Sequence, residues 1–180
     1  IRPRDWSSDV CSSDLTIEMM PDDASVRAAV ELLWSAKRPL VISGRGAKGA
    51  SKELCELLSR VGAAYLDTGE SKGLVPESHA SVVAAMRGTV MQQADVVATV
   101  GRRLDFQLAY GSPAVFGEAK FIRIADCAAE LRDNRRGTVE ILSTGRRALR
   151  ALLDAAGDRT SAVDASWTEG LRRSEEHTSE

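Results

Sequence analysis

Gly44-Arg45-Gly46-Ala47-Lys48-Gly49 lies directly behind the apolar run Pro39-Leu40-Val41-Ile42-Ser43 and ahead of a helical pattern. A strand, a glycine turn and a helix in that order form a phosphate cradle. Glycines let the backbone approach a pyrophosphate, and unpaired N–H groups at a helix start favour its charge. Asp67 closes the next apolar run, near the ~20-residue spacing at which a carboxylate reaches a ribose hydroxyl. Arg102, Arg103 and Asp105 follow a third run, where an arginine grips phosphate through two hydrogen bonds or stacks on a ring. Asp126 ends a fourth and either accepts from ribose hydroxyls or caps the helix beginning at Ala128. The glycines read equally as a tight strand-to-helix turn, and Arg102 reads as half of a solvated surface pair. Arg103, with Leu104 and Phe106 to anchor the turn, is the better ligand candidate.

No residue set points to catalysis or to a metal. His79 is the single histidine of the interior and sits in a polar loop. Ser43 lacks a histidine partner in the pattern, so no hydrolytic triad is argued. Cys11, Cys55 and Cys127 have no metal-ligand spacing and read as reduced thiols in a cytoplasmic protein. A net charge of −2 gives no basic footprint for nucleic acid, and no apolar run approaches the ~20 residues of a membrane span.

Alternating elements must position these residues. Helical periodicity marks residues 24–36, with Val26, Val30, Leu33 and Trp34 on one stripe and Asp22 or Asp23 as cap. Residues 51–61 carry a second stripe, Leu54, Leu57, Leu58 and Val61, stopped by Gly62. Strands are predicted over 40–43, 63–66, 95–101, 120–124 and 138–141, and a last helix from Ser143 or Thr144 to about Ala155. Repeated βα units predict an α/β, three-layer Rossmann-like domain with a parallel sheet of about six strands. In such sheets ligands collect at the carboxyl ends of the strands, where all the loops named above lie.

The ends read differently. Val10-Cys11-Ser12-Ser13-Asp14-Leu15 is encoded by GTG TGC TCT TCC GAT CT plus one base, and the reverse complement of that string encodes Arg173-Ser174-Glu175-Glu176-His177-Thr178. The string resembles a short-read sequencing adapter, so residues 1–15 and 173–180 are expected to be adapter-derived tails, with polar disordered tails as the alternative. Unrelated codons at the two ends of the encoding DNA would end the idea. Residues 16–160 are expected to form the domain, and 161–172 a linker toward a further domain.

An ordered set of motifs carries a family resemblance: Lys37-Arg38-Pro39-Leu40-Val41-Ile42-Ser43-Gly44-Arg45-Gly46, Ser71-Lys72-Gly73-Leu74-Val75-Pro76-Glu77-Ser78-His79, Ala94-Asp95-Val96-Val97, Gly101-Arg102-Arg103-Leu104-Asp105-Phe106, and Phe121-Ile122-Arg123-Ile124-Ala125-Asp126-Cys127-Ala128-Ala129-Glu130-Leu131. It resembles the central domain of thiamine-diphosphate-dependent enzymes, in the group of acetolactate synthase, 2-hydroxyacyl-CoA lyase and oxalyl-CoA decarboxylase. The resemblance implies a homo-oligomeric parent with a pyrimidine-binding domain before this one and a diphosphate-binding domain after it. Thiamine diphosphate and Mg would serve that parent. The activating glutamate and the Gly-Asp-Gly motif belong to the other domains, and Gly157-Asp158-Arg159 does not match the latter.

In several members the central domain holds FAD or ADP. By resemblance, Gly44, Arg45 and Gly46 line its pyrophosphate region, Met86 and Gly88 belong to a second ligand loop, Gly101, Arg103 and Asp105 to a third, and Asp126 lies near the ribose or adenine. Ala125 stands where members usually carry an aspartate. The function implied is the scaffold and nucleotide-holding domain of a lyase or carboligase, without turnover alone. The alternatives are the FAD domain of an electron-transfer flavoprotein and a structural Rossmann-like domain that binds nothing.

Overall fold

The computed structural model describes residues 19–83 and 85–178. Val26, Val30, Leu33 and Trp34 fall on one face of α1 (Asp23–Trp34) and are buried. Asp22 caps that helix by accepting a hydrogen bond from the Ser25 amide at 2.8 Å, which holds its carboxyl below the usual carboxylate range. β1 (Pro39–Ser43) leads through one 3₁₀ turn, Arg45–Ala47, into α2 (Ser51–Val61), which Gly62 ends in the left-handed conformation. Then come β2 (Ala64–Leu66), α3 (Arg87–Gln93), β3 (Val96–Val100) and α4 (Pro113–Phe116). β4 (Lys120–Ala125), α5 (Ala128–Arg132), β5 (Val139–Leu142), α6 (Gly145–Ala156) and α7 (Ala165–Thr178) complete the order.

The strands form a single parallel sheet in the order β2-β1-β3-β4-β5. Five are described, against an expectation of about six. All residues of β1 and β3 are buried, as a parallel strand covered on both faces requires. Side-chain alternation divides two cores. Val41, Ala98 and Ile122 face α1, α2 and α6, whereas Leu40, Val97 and Phe121 face α3, α4 and α7. The strand order reverses direction between β1 and β3. In open α/β sheets this switch point is where the loops leaving neighbouring strands part and a crevice opens.

Residues 161–172, expected as a linker, include the start of α7 and pack on the domain. Ala162 N–H donates to Trp34 O at 3.0 Å, Trp167 Nε1 donates to Gln93 Oε1 at 2.9 Å, and Leu171 is buried. The helix continues through Arg173 to Thr178, whereas residues 1–15 and 179–180 of the expected tails lie outside the described residues. Among the described residues no helix is long and apolar enough to cross a membrane.

Candidate functional site

The loops after β1 and β3 meet backbone to backbone. Gly44 N–H donates to Val100 O at 3.0 Å and Gly46 N–H to Gly101 O at 3.1 Å. A Cβ on Gly101 would stand 2.3 Å from Gly46 Cα, and one on Gly44 would stand 2.6 Å from Gly101 O. These glycines admit each other's backbone, and two of the amides expected to cradle a phosphate are engaged inside the protein. Above this floor opens a crevice of about 440 Å³.

Its walls come from four loops. Arg45 stands on the β1 side, exposed and without a carboxylate partner among the described residues. Thr68, Gly69 and Glu70 come from the turn after β2; Glu70 pairs with Lys48 at 3.6 Å. The β3 loop supplies Arg102, Arg103, Asp105 and Gln107. Arg102 grips both carboxylate oxygens of Asp105 at 2.8 Å and donates to Gln107 Oε1 at 2.9 Å. Burial raises the Asp105 carboxyl, but the bonds and charge of Arg102 outweigh it and leave it below the usual range. Arg103 Nε donates to Asp133 at 2.6 Å, outside the crevice lining. Asp126 and Glu130 form the β4 side, and neither carboxylate makes a hydrogen bond or ion pair among the described residues.

Buried polar groups set the walls. Thr68 Oγ1 and Ser71 Oγ both donate to Ser43 O, at 2.6 and 2.9 Å, pulling the Gly69–Ser71 turn over the end of β1. Ser43 Oγ lies 2.6 Å from the Tyr65 hydroxyl. Tyr65→Phe strands the buried Ser43 hydroxyl and is expected to cost about 1–2 kcal/mol in a urea titration at neutral pH. Burial pushes the Tyr65 phenol above its ordinary value of 10.0. The native state therefore holds that proton more tightly than the unfolded chain. The resulting stability is full below pH 10.0 and declines as pH rises through the native-state value. The Phe variant should lack this alkaline decline.

On the far side of β4, Arg123 is fully buried and donates to the carbonyls of Glu130, Leu131, Asp133 and Arg135. It fixes the stretch that carries Glu130 into the crevice and presents Asp133 to Arg103.

Of the residues singled out in the sequence, Gly44, Arg45, Gly46, Gly101, Arg103, Asp105 and Asp126 line this one crevice. Met86 and Gly88 do not: Met86 precedes α3 and Gly88 lies in its first turn. Asp67 is also outside the lining, displaced by the folded-back turn that follows it. The N-cap of α5 is Cys127, so Asp126 is free of the capping role considered for it. Arg102 is the main correction. Expected as a solvated pair, its side chain is 11% exposed and holds Asp105 from below. Arg123 went unnoticed, although a charge inside the run Phe121-Ile122-Arg123-Ile124 is a signal of a buried partner set.

His79 offers no second centre. Its Nδ1 accepts from the Ser81 amide at 3.2 Å, which puts the neutral ring's proton on Nε2, 3.1 Å from Ser59 Oγ. Ser59 therefore receives a hydrogen bond there and has no base.

An open parallel sheet flanked by helices, with a crevice between loops at its carboxyl edge, defines the Rossmann-like α/β class. Sequence comparison narrows the class. The description "Thiamine pyrophosphate enzyme, central domain" matches residues 26–152, and the chain belongs to that family. It is 35% identical to 2-hydroxyacyl-CoA lyase 1 of Mus musculus over 159 residues, covering 85% of this chain and 27% of that protein. It is 29% identical to oxalyl-CoA decarboxylase of Escherichia coli (strain K12) over 155 residues, covering 85% and 28%. The 2-hydroxyacyl-CoA lyase of Oryza sativa subsp. japonica is 31% identical over 156 residues. The chain thus spans about a quarter of the length of these relatives.

Proposed function

We propose that this chain is the scaffold and nucleotide-holding domain of a thiamine-diphosphate-dependent lyase or carboligase, and that its crevice takes ADP or FAD. We take residues 16–160 as the domain, with 161–172, which pack on it through Trp167 and Leu171, as its lead toward a further one. The observation that carries the reading is the convergence of four loops on one crevice with a divided donor set. Arg45 offers a free guanidinium on one wall, suited to a phosphate, and Asp126 and Glu130 offer free carboxylates on the other, suited to ribose hydroxyls.

Thiamine diphosphate itself does not fit these residues. Its diphosphate needs a divalent cation, and the described residues contain no cluster of three or more His, Cys, Asp or Glu able to hold one. The carbanion chemistry that this cofactor supplies is assigned to the other domains of a homo-oligomeric parent. Similarity to proteins named for acyl-CoA substrates favours a 2-hydroxyacyl-CoA or oxalyl-CoA parent over a synthase of 2-oxo acids. Cys55 and Cys127 are free thiols, consistent with a cytoplasmic setting.

Titration of the chain with ADP and with FAD, followed by calorimetry and thermal melting, tests the nucleotide reading. A ligand present at 100 times its Kd should add about 2.7 kcal/mol of stability. Arg45→Ala should weaken ADP at least about tenfold, the loss of one charge-assisted contact. Melting curves unmoved by millimolar ADP and FAD would leave a domain that serves as scaffold alone.

A further inference from the structure

We infer that the uncharged strip over residues 106–117 is the seat of the domain that follows this one in the parent polypeptide. The partner's matching face is apolar, uncharged and offers an acceptor to the Tyr110 hydroxyl. This rests on the multidomain reading above and goes beyond it.

Among the described residues Phe106 and Tyr110 are the exposed large aromatic side chains, at 73% and 56%. Residues 106–117 include no charged residue, in a chain of which 28% is charged. Gln107, Pro113 and Ala114 extend the exposed strip. Contiguous apolar surface of this kind marks a contact site. The backbone holds the rings out at a cost, because Ala109 and Tyr110 take φ +46° and +55°, consecutive left-handed residues without a glycine. Internal bonds keep that turn in place. Tyr110 N–H donates to Asp105 O at 2.9 Å, and Arg135 Nη1 donates to Gly111 O at 2.9 Å. Leu108 and Phe116 point inward and are buried. Strain gathers where function needs an unusual placement of side chains, and neither exposed ring takes part in a ring contact among the described residues.

Size and direction choose the occupant. The two rings offer on the order of 200–300 Å² of apolar surface, against about 800 Å² per partner in a stable complex of separate chains. A face that small holds a tethered partner, since a linker keeps it at an effective concentration in the mM range. The chain spans about a quarter of the length of its relatives, so most of such a polypeptide lies outside this domain. α7 begins within residues 161–172, the lead toward a further domain, and packs Leu171 into the same apolar core as Leu108 and Phe116. The onward chain is thus delivered to the side of the sheet that carries the strip. Charge sorts the partner's surface, because an uncharged strip would leave any charge buried against it unpaired.

The test compares backbone hydrogen exchange in this chain and in the complete polypeptide of its reading frame. Peptides spanning residues 106–115 are expected to exchange at least about tenfold more slowly in the complete polypeptide. In Phe106→Ser/Tyr110→Ser that protection should vanish. Both side chains are exposed, so the same double variant of the 180-residue chain should melt within about 2 °C of the unsubstituted one. Equal exchange in the two proteins, or protection that survives the double variant, overturns the docking and leaves the multidomain reading intact. Self-association of the 180-residue chain that the double variant abolishes gives the face to a second copy and also overturns it. A reading frame that encodes no further domain overturns both.

Discussion

Arg123→Met is expected to lower the unfolding free energy by about 3–5 kcal/mol, the range for removing one partner from a buried charged network. The arginine is 1% exposed in the interior of β4. Its Nη1 donates to the carbonyls of Leu131, Asp133 and Arg135 at 3.0, 3.0 and 2.9 Å, and its Nη2 to Glu130 O and, at 3.3 Å, to the Asp133 carboxylate. Four carbonyls thus depend on one side chain. Methionine fills much the same volume but supplies no donor. Each carbonyl left buried without a partner costs about 1–3 kcal/mol, and water reaching the stretch recovers part of the total. Arg123→Lys should fall between, because an ammonium offers three donors from a point rather than a planar fork. Urea unfolding of the three proteins measures the difference directly. A loss under about 1 kcal/mol in the Met variant would mean that the α5 stretch keeps its shape unaided.

The same substitution should reach the crevice. Asp133 lies between Arg123 and Arg103, 3.3 Å from one guanidinium and 2.6 Å from the other. Without Arg123 the stretch that carries Glu130 and Asp133 loses its anchor, and Arg103 loses a fixed partner. ADP affinity should therefore fall at temperatures where the variant is still folded.

How legible was this arrangement in the sequence? The sheet and its helices were, because periodicity and burial agree there. Val26, Val30, Leu33 and Trp34 were read as one stripe and are one buried face, and the strand expected over 95–101 is β3, Val96–Val100, buried mid-sheet. The crevice was legible as far as strand ends can be located, since parallel strands deliver their following loops to one edge. What the pattern does not encode is which of two adjacent residues turns inward beyond a strand end. Gly101 takes φ +55° and Arg102 packs against Gly44, buried in its pair with Asp105 where a solvated pair was expected, while Arg103 stays exposed in the crevice lining. Asp67 missed the lining for a related reason. Two hydroxyls, Thr68 and Ser71, bond to Ser43 O and fold the turn back, so Thr68 to Glu70 take the wall instead. Met86 and Gly88 entered through family resemblance; they stand at the start of α3 and are not in the crevice lining.

Gly101→Ala should be about as damaging as the loss of Arg123, at about 2–5 kcal/mol, and it separates two explanations of the glycine pattern. If these glycines existed to let the backbone approach a phosphate, alanine would impair ligand binding and leave stability nearly unchanged. The geometry predicts otherwise. An alanine at φ +55° costs about 1–2 kcal/mol for its left-handed backbone. Its Cβ would also lie 2.3, 2.4 and 2.7 Å from Cα, C and N of Gly46. Those are main-chain atoms, so no side-chain rotation relieves the overlap, and overpacking of this kind adds about 1–3 kcal/mol. Gly49→Ala is the control. It also has positive φ, +78°, but no atom lies within 4 Å of its Cβ position. It should cost only the backbone share of about 1–2 kcal/mol. The difference between the two variants in urea unfolding isolates the contact between the β1 and β3 loops. Gly145 presses on the same point, its Cβ position 2.6 Å from Gly46 O. Three loops therefore converge on Gly46, and the floor of the crevice is held by main-chain packing before any ligand arrives.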